Sequence, residues 1–324
     1  MKELKDSKVF KIGGGCLKDP VSVKKIVPFL EKNIDFLNEE KVIFVLSAFN
    51  GVTRQLGKIA NISNKESKLK LLKNLEEYYQ KFVRNLFDQE KNKSILELTL
   101  TEINNIFVEI RGFINYPSEN KKFIYDQIVS QGEIISSMIV NYFLFSQDKF
   151  SRKSEIIDAT SLIYTDNNYT KAKINFVLSD KMIKNHFESN FSYFPILITQ
   201  GFIAHTYDVV DKRGKIKTNT TMGKESSDYS AIVIAKALEI KEVTLFKDVL
   251  GVFPRNPKRF DYQQSEVIPH LSYGEFFNLV NLEFKQNGGS MLVHSKAITL
   301  AEKSKIVLKI KSFFEPEKEG TIIS

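Results

Sequence analysis

The sequence predicts an α/β protein with a largely parallel, buried sheet. Predicted strands and helices alternate along the 324 residues, which is the order that builds β-α-β units. Residues 42–48 form a nearly continuous apolar run, as expected for a strand covered by helices on both faces. Because 42% of the residues are hydrophobic, the chain can fill a large core.

Apolar spacing places the individual elements. We predict strands at 8–11, 42–48, 154–158, 195–200, 242–247 and 305–312, with helices after residue 20, across most of 64–115, and at 126–140, 228–239, 272–282 and 294–303. Asp19 is placed to cap the first helix, with Pro20 at its first position, whereas Pro28 predicts a kink in it. Residues 205–221 are a polar stretch without a clear period.

Composition limits the function classes. The formal net charge is +8, but the basic residues are dispersed, so an anionic small substrate explains the excess as well as nucleic acid does. We expect no nucleic-acid partner. No apolar run approaches about eighteen residues and the N-terminus lacks a signal-peptide core, so no membrane span is expected. Cys16 is the single cysteine, which excludes an internal disulfide and favours the cytoplasm.

A lysine next to three glycines is the first candidate for chemistry. Strand 8–11 delivers Lys11 to Gly13, Gly14 and Gly15, whose backbone N–H groups are open to an anion. Lys11 adds a compact positive charge at the same corner. The pattern is typical of a phosphate site, although a plain strand–helix turn has the same composition.

Other polar residues cluster where predicted strands end, the edge at which open parallel sheets bind ligands. Ser47 and Thr53 follow the second strand, and Asp248 follows strand 242–247. Each has an ordinary alternative: Ser47 is a helix cap, and Asp248 starts a turn. The sequence contains no Walker A motif, no complete dinucleotide fingerprint and no protein-kinase triplets.

Two further acidic residues lie near helix starts. Glu133 follows Ser-Gln-Gly, and a glutamate in such a place is more often a solvated surface residue than a ligand. Asp228 follows a polar loop and has an alternative role as the N-cap of helix 228–239.

In order and spacing, these clusters resemble the catalytic domain of aspartate kinases, in the amino acid kinase family. The resemblance extends from Lys8 to Thr321. It rests on Lys-Ile-Gly-Gly-Gly-Cys at 11–16, a Val-Ser-Ala-x-x-Gly-Val-Thr-like segment at 46–53, Gln-Gly-Glu-Ile-Ile-Ser at 131–136, Thr-Gln-Gly-Phe-Ile at 199–203, Thr-Met-Gly-Lys-Glu-Ser-Ser-Asp at 221–228, and Lys-Asp-Val-Leu-Gly-Val-Phe at 247–253.

The resemblance implies a three-layer α/β/α sandwich, with a substrate lobe over about 1–195 and a nucleotide lobe over about 196–324. It implies that ATP, with Mg²⁺ bridging its phosphates, phosphorylates the side-chain carboxylate of L-aspartate to 4-phospho-L-aspartate, a step toward lysine, threonine and methionine. It assigns catalysis to Lys11 and Asp228, the amino acid to Ser47, Thr53, Glu133, Phe202 and Lys224, and the nucleotide to Gly13, Gly14, Gly15, Lys247, Asp248, Phe253 and Lys258. It assigns no residue to a metal site.

The chain departs from the family pattern near the catalytic centre. Lys224 stands for an arginine, Glu225 for a glycine, and Met291 for a lysine that assists the phosphates. These changes leave two alternatives to aspartate kinase: a relative acting on another amino acid carboxylate, or a non-catalytic nucleotide- or amino-acid-binding protein. We expect no regulatory ACT domain in this sequence. A homodimer is one alternative for its oligomeric state.

Overall fold

The computed structural model of the protein describes residues 4–35, 39–211, 214–254, 266–286 and 292–324. For residues 207–211, 214–216 and 283–286 it describes the backbone alone.

A twisted eight-stranded sheet lies at the centre of the fold, and a separate two-stranded ribbon lies beside it. The strands are β1 (Lys8–Ile12), β2 (Val42–Leu46), β3 (Ser154–Ile156), β4 (Ile196–Gln200), β5 (Ile203–Asp211), β6 (Gly214–Thr221), β7 (Glu242–Lys247), β8 (His270–Leu271), β9 (Val307–Ser312) and β10 (Thr321–Ile323). The sheet order is β3-β4-β2-β1-β7-β9-β10-β8, and every pair in it is parallel except β9 with β10. β5 and β6 form the antiparallel ribbon.

Helices cover both faces of the sheet. They are α1 (Pro20–Lys24), α2 (Ile26–Asn33), α3 (Val52–Asn61), α4 (Lys65–Leu86), α5 (Lys93–Asn115), α6 (Lys121–Val129), α7 (Gln131–Phe145), α8 (Ala159–Leu162), α9 (Phe176–Phe191), α10 (Ser227–Ala237), α11 (Tyr273–Gln286) and α12 (Ser295–Ser304).

Alternation along the strands divides the core in two. Phe10 and Phe44 point into one buried cluster with α1–α7, whereas Val9 and Val45 point into the other with α9–α12. The predicted three-layer α/β/α architecture with a mostly parallel sheet is confirmed. The central strands are buried on both faces, so the apolar run at 42–48 was a reliable signal.

The first helix shows both predicted proline effects. The Asp19 side chain accepts a hydrogen bond from the Ser22 N–H at 2.7 Å, and Pro20 follows as the first helical residue. The helix is interrupted at Lys25, and Pro28 lies in the first turn of α2, where its missing N–H costs least. The predicted kink is therefore a break into two helices.

Residues 205–221 were predicted only as a polar stretch, and they form most of the β5–β6 ribbon. The signal was weak because the buried side chains described in the ribbon are largely polar, among them His205, Thr206, Thr218, Thr220 and Thr221. Thr220 shares a 2.7 Å hydrogen bond with Thr165, and Thr218 shares one of 3.0 Å with the Tyr169 hydroxyl. Hydrophobic periodicity cannot detect such a strand pair.

One described helical segment, Lys121–Phe145, is long and apolar enough to cross a membrane by length and composition. However, 78% of its most apolar window is buried inside the protein. In this segment α7 packs against the sheet, α6 packs against β6 and α3, and both pack against α5, so its hydropathy is that of a core element.

Candidate functional site

A cleft of 960 Å³ opens at the carboxyl ends of β1, β2 and β7. The order of these strands, β2-β1-β7, brings together chain segments that are more than two hundred residues apart in sequence. Every predicted site residue lines the cleft except Lys258, which lies outside the residues that the structure describes. Met291, which stands where the family pattern has a lysine, also lies outside the described residues.

Two lysines share one carboxylate at the base of the cleft. Lys11 Nζ lies 2.8 Å from Asp228 Oδ1, and Lys247 Nζ lies 2.9 Å from Asp228 Oδ2 and 3.1 Å from Oδ1. Lys11 is the last residue but one of β1, Lys247 is the last residue of β7, and Asp228 lies in the first turn of α10. Asp228 is therefore not the N-cap, because that position belongs to Ser226 and the Asp228 side chain is held by the lysines.

Burial alone would raise the pKa of Asp228, but the charges of Lys11 and Lys247 outweigh it and hold that pKa below its usual value. For Lys247, burial is the largest effect and lowers its pKa, with Lys11 acting in the same direction and Asp228 opposing both. The carboxylate is therefore ionised at neutral pH and organises two cations at one point.

The glycine corner is closely fitted to its surroundings. A Cβ atom at Gly14 would lie 2.8 Å from the Ala48 carbonyl oxygen, and one at Gly15 would lie 2.9 Å from Asp248 Cγ. A Cβ at Gly13 would lie 3.5 Å from Lys11 Nζ. The missing side chains let this backbone lie directly beside the lysine and the strand ends, as the phosphate interpretation requires.

Glu133 lines the same cleft and is buried, with 2% of its surface exposed. The surface alternative predicted for this residue is therefore wrong. Thr53 Oγ1 donates to Glu133 Oε1 at 3.4 Å, while Glu133 Oε2 is buried without a hydrogen-bond partner. Burial raises the pKa of Glu133 to about 8, and weaker opposing effects come from backbone amides, Thr53 and Lys11. An unpartnered buried carboxyl oxygen in a cleft is suited to a ligand that carries a hydrogen-bond donor.

Ser47 does not cap a helix, because the N-cap of α3 is Gly51, and it lines the cleft instead. Phe202 is buried and has a positive φ of 68°, with its N–H donating to Ser230 Oγ at 2.9 Å. This backbone strain is stored in a residue that borders the cleft.

The loop before α10 carries Lys224 and Glu225 to the cleft rim. Glu225 adopts a φ of 62°, a conformation that favours glycine, which is the residue that the resembling pattern has there. The loop is anchored at its start by a buried carboxylate: Asp126 accepts hydrogen bonds from the Thr221 N–H at 2.9 Å and from Thr221 Oγ1 at 2.8 Å.

The third side of the cleft is formed after β7. Asp248 lies beside Gly15, and Val249, Val252 and Phe253 add an apolar surface next to it. An apolar wall beside an anion-binding corner is suited to the base and ribose of a nucleotide.

Several lining residues had no sequence signal. Arg54 and Lys58 on α3 and Tyr125 on α6 reach the same cleft, and nothing in their spacing distinguishes them from surface residues. The ion pair between Lys247 and Asp228 was missed as well, because residues so far apart in sequence are joined only by the order of the strands.

Within the described residues, no group of three or more His, Cys, Asp or Glu side chains is arranged to hold a metal ion. Cys16 lies at the base of the cleft, where burial raises the pKa of its thiol to about 12. The carboxylates that do face the cleft are therefore suited to help a metal that arrives with a phosphate ligand rather than to hold one alone.

The amino acid kinase family's sequence profile matches residues 6–312. An aspartokinase from Rickettsia felis is 25% identical over 97% of this chain and 60% of its own length. A bifunctional aspartokinase/homoserine dehydrogenase from Buchnera aphidicola is 26% identical over 98% of this chain and 36% of its own. This chain thus spans 54–60% of the length of the first aspartokinase relatives it matches.

Among solved structures, E. coli aspartokinase III in complex with aspartate and ADP matches with a TM-score of 0.79, covering 98% of this chain and 64% of that one at 19% identity. Clostridium acetobutylicum aspartate kinase matches with a TM-score of 0.65. The fold is thus that of the α/β small-molecule kinases. The chain belongs to the amino acid kinase family.

Proposed function

We propose that this protein is an aspartate kinase, which transfers the γ-phosphoryl group of ATP to the side-chain carboxylate of L-aspartate and yields 4-phospho-L-aspartate and ADP. The observation that carries the proposal is that one cleft contains both basic and acidic buried groups. The same cleft holds two lysines that are at most 12% exposed and share one carboxylate, and a buried carboxyl group with an unpartnered oxygen.

The lysine pair suits the phosphoryl group that is transferred, and the buried carboxyl group suits the amino acid that accepts it. Lys11 and the glycine corner would hold the transferring phosphoryl group, and Glu133 would accept a hydrogen bond from the ammonium group of the amino acid. Asp228 would keep the lysines in place. Ser47, Thr53 and Phe202 would shape the amino acid site, and Lys224 would face its α-carboxylate.

The bond changes need no catalytic base. An oxygen of the aspartate side-chain carboxylate forms a bond to the γ-phosphorus. The bond from that phosphorus to the oxygen shared with the β-phosphate breaks, and ADP leaves with the electron pair. Because the attacking carboxylate is already ionised, the protein's task is to position the groups and to neutralise charge. Magnesium would enter with the nucleotide phosphates, and Asp248, Phe253 and Lys258 would flank that nucleotide.

Two findings outside the site support the proposal. The relatives named aspartokinase match almost the whole chain, and the E. coli aspartokinase III structure that shares the fold was determined with aspartate and ADP. A cytoplasmic location, expected from the single cysteine, agrees with a reaction that consumes ATP.

A second candidate is a kinase for another amino acid carboxylate. It is favoured by Lys224, which lacks the planar fork with which an arginine grips a carboxylate. In that case Glu133 and Lys11 keep their roles and the acceptor differs.

One assay separates the candidates. The purified protein is incubated with MgATP and a panel of amino acids, and acyl phosphate is trapped as hydroxamate. We expect hydroxamate with L-aspartate, and none from a Lys11→Ala variant. Hydroxamate with another carboxylic amino acid alone would establish the second candidate. No hydroxamate with any acceptor, at enzyme concentrations that detect a slow kinase, would refute both.

A further inference from the structure

Lys247 makes a contact that its expected nucleotide-binding role does not require. Its ammonium lies within 3.1 Å of both oxygens of Asp228, and its side chain is only 12% exposed. A Cβ atom at Gly13 would lie 3.9 Å from Lys247 Cδ and 3.5 Å from Lys11 Nζ. Both lysines therefore flank the glycine corner, and both are held by one carboxylate.

The charges at this point do not balance. Lys11 and Lys247 bring two positive charges and Asp228 brings one negative charge. The Cys16 thiol stays neutral, since burial raises its pKa to about 12. Asp248, beside Gly15, brings a further negative charge, but it is exposed and water screens that charge. Asp228 alone therefore leaves one positive charge uncompensated at a largely buried point, which is costly until an anion arrives. The base of the cleft is thus prepared for an anion that contacts both lysines.

The second positive charge, on Lys247, is a difference between this chain and the family pattern. The family segment that resembles residues 247–253 reads Thr-Asp-Val-x-Gly-Ile/Val-Tyr, so the family pattern has a threonine at the position of Lys247, and it has a lysine at the position of Met291. In this chain position 247 is Lys and position 291 is Met. This chain thus has a lysine at the end of β7 where the pattern has none, and it lacks the lysine that, in the pattern, assists the phosphates.

We propose that Lys247 is a catalytic residue, which supplies the second positive charge on the transferring phosphoryl group in place of the lysine that the family pattern has at position 291. This inference rests on the proposed function. As the bond to the acceptor oxygen forms and the bond to ADP breaks, charge gathers on the oxygens around the γ-phosphorus. Lys11 and Lys247 neutralise it from two sides, and neither lysine transfers a proton.

The test is a charge-swap cycle with four proteins: wild type, Lys247→Thr, Met291→Lys and the double variant. Lys247→Thr introduces the residue of the family pattern and leaves Asp228 paired with Lys11, so the fold is expected to persist. We expect kcat to fall by about 10²–10³-fold in Lys247→Thr, as for removal of one group that stabilises developing charge. The KM for aspartate should change little. The kcat of the double variant should be at least about tenfold higher than that of Lys247→Thr. Lys173→Thr, which removes an exposed lysine, serves as the control and should match wild type.

A binding measurement covers the case in which the wild type shows no turnover and the proposed function itself has failed. Affinities for MgADP and for the magnesium complex of the β,γ-imido analogue of ATP are measured by calorimetry. We expect wild type to prefer the triphosphate, and Lys247→Thr to lose at least about fivefold of that preference. Unchanged preference in Lys247→Thr would overturn the inference. So would an active wild type whose Lys247→Thr variant keeps kcat within threefold, or a Lys247→Thr defect that Met291→Lys does not relieve.

Discussion

At the residue scale, Glu133 is the group whose chemistry depends most on its surroundings. Burial raises its pKa to about 8, so below that pH the free protein holds it mainly protonated. An ammonium ligand binds the ionised form. Ligand binding at neutral pH therefore requires Glu133 to lose a proton. The apparent affinity equals the affinity of the ionised protein multiplied by the fraction of molecules in which Glu133 is ionised.

This argument predicts that aspartate binds more tightly as the pH rises. Between pH 6.5 and 8, the apparent KM for aspartate should fall by about tenfold, since the ionised fraction of Glu133 rises by about that factor. Glu133→Gln should abolish the dependence and raise KM by about 30-fold or more, the cost of removing one partner of a buried charged pair. Steady-state kinetics across the pH range measure both effects.

The matched control is Glu109→Gln, which changes an exposed glutamate on α5 and should keep the wild-type profile. A wild-type KM that does not vary with pH, or a Glu133→Gln protein that keeps the same slope, would contradict the assigned role of Glu133.

Lys224 and Arg54 are exposed basic residues in the lining of the cleft, and we predict that both contact the α-carboxylate of the amino acid. Both are exposed, so each contact is weakened by water, and each substitution by alanine should raise KM by about three- to tenfold. The kcat should not change, because the contact is equally strong before and during the reaction. Kinetics of Lys224→Ala, Arg54→Ala and the double variant check this. A lowered kcat in either single variant would assign the residue to phosphoryl transfer instead.

Sequence analysis was strongest for residues next to glycine or at strand ends, where the backbone itself limits the choice. Lys11, Ser47 and Asp248 were all found this way, and they line one cleft. The burial of Glu133 could not be predicted from residue statistics, because glutamates are seldom buried. Arg54 left no signal, since its position on the surface of α3 is shared by many charged residues that do nothing.

At the element scale, α6 and β6 form a clamp that places the loop of residues 222–226. Asp126 on α6 is fully buried, and its Oδ2 accepts hydrogen bonds from the backbone N–H groups of Thr170 and Thr221. Gln127 adds hydrogen bonds to the backbone of Asn219 in both directions. The loop that carries Lys224 and leads to Asp228 thus begins from a rigid point.

We predict that Asp126→Ala loosens this clamp. Two buried N–H groups would lose their acceptor, which should destabilise the fold by about 2–4 kcal/mol and lower kcat through displacement of the loop. Asp126→Asn still offers an oxygen to both N–H groups and should keep most of the stability and activity. Asp148→Ala, at an exposed carboxylate, is the control. Kinetics well below the melting temperature measure the effect, and a folded Asp126→Ala protein with wild-type kcat would show that the clamp is structural only.

Elements with an apolar face were predictable, and elements with a polar one were not. The strands β1, β2 and β7 were located from apolar runs within two residues of their observed ends. The β5–β6 ribbon was missed because its contacts are hydrogen bonds among threonines and a tyrosine. The break between α6 and α7 at Ser130 was also unforeseen, since the segment is apolar on both sides of it.

At the scale of the whole molecule, the alternation of strands and helices sufficed for the fold class, because a parallel sheet requires helices on both faces. The topology did what the sequence could not show: it placed β1 between β2 and β7 and so joined Lys11 to residues from both halves of the chain. The site consists of buried ionisable groups, and the stability of the whole fold must therefore depend on their titration.

The last prediction concerns that dependence above pH 6.5. The pKa of Glu133 is about 8 in the folded protein and lies near 4.5 when the chain is unfolded, so the folded state binds the extra proton. The stability that this proton contributes is fully present below pH 4.5 and is lost as the pH rises through 8. Between pH 6.5 and 8.5 the unfolding free energy should therefore fall by about 2 kcal/mol. Buried Asp126, whose pKa is about 6, adds little in this window, and His205, whose pKa is lowered to about 4, acts in the opposite direction at lower pH. Urea denaturation at pH 6.5, 7.5 and 8.5 measures the slope. Glu133→Gln should flatten it, whereas the surface control Glu109→Gln should not. An equal slope in all three proteins would mean that Glu133 is not the group that titrates.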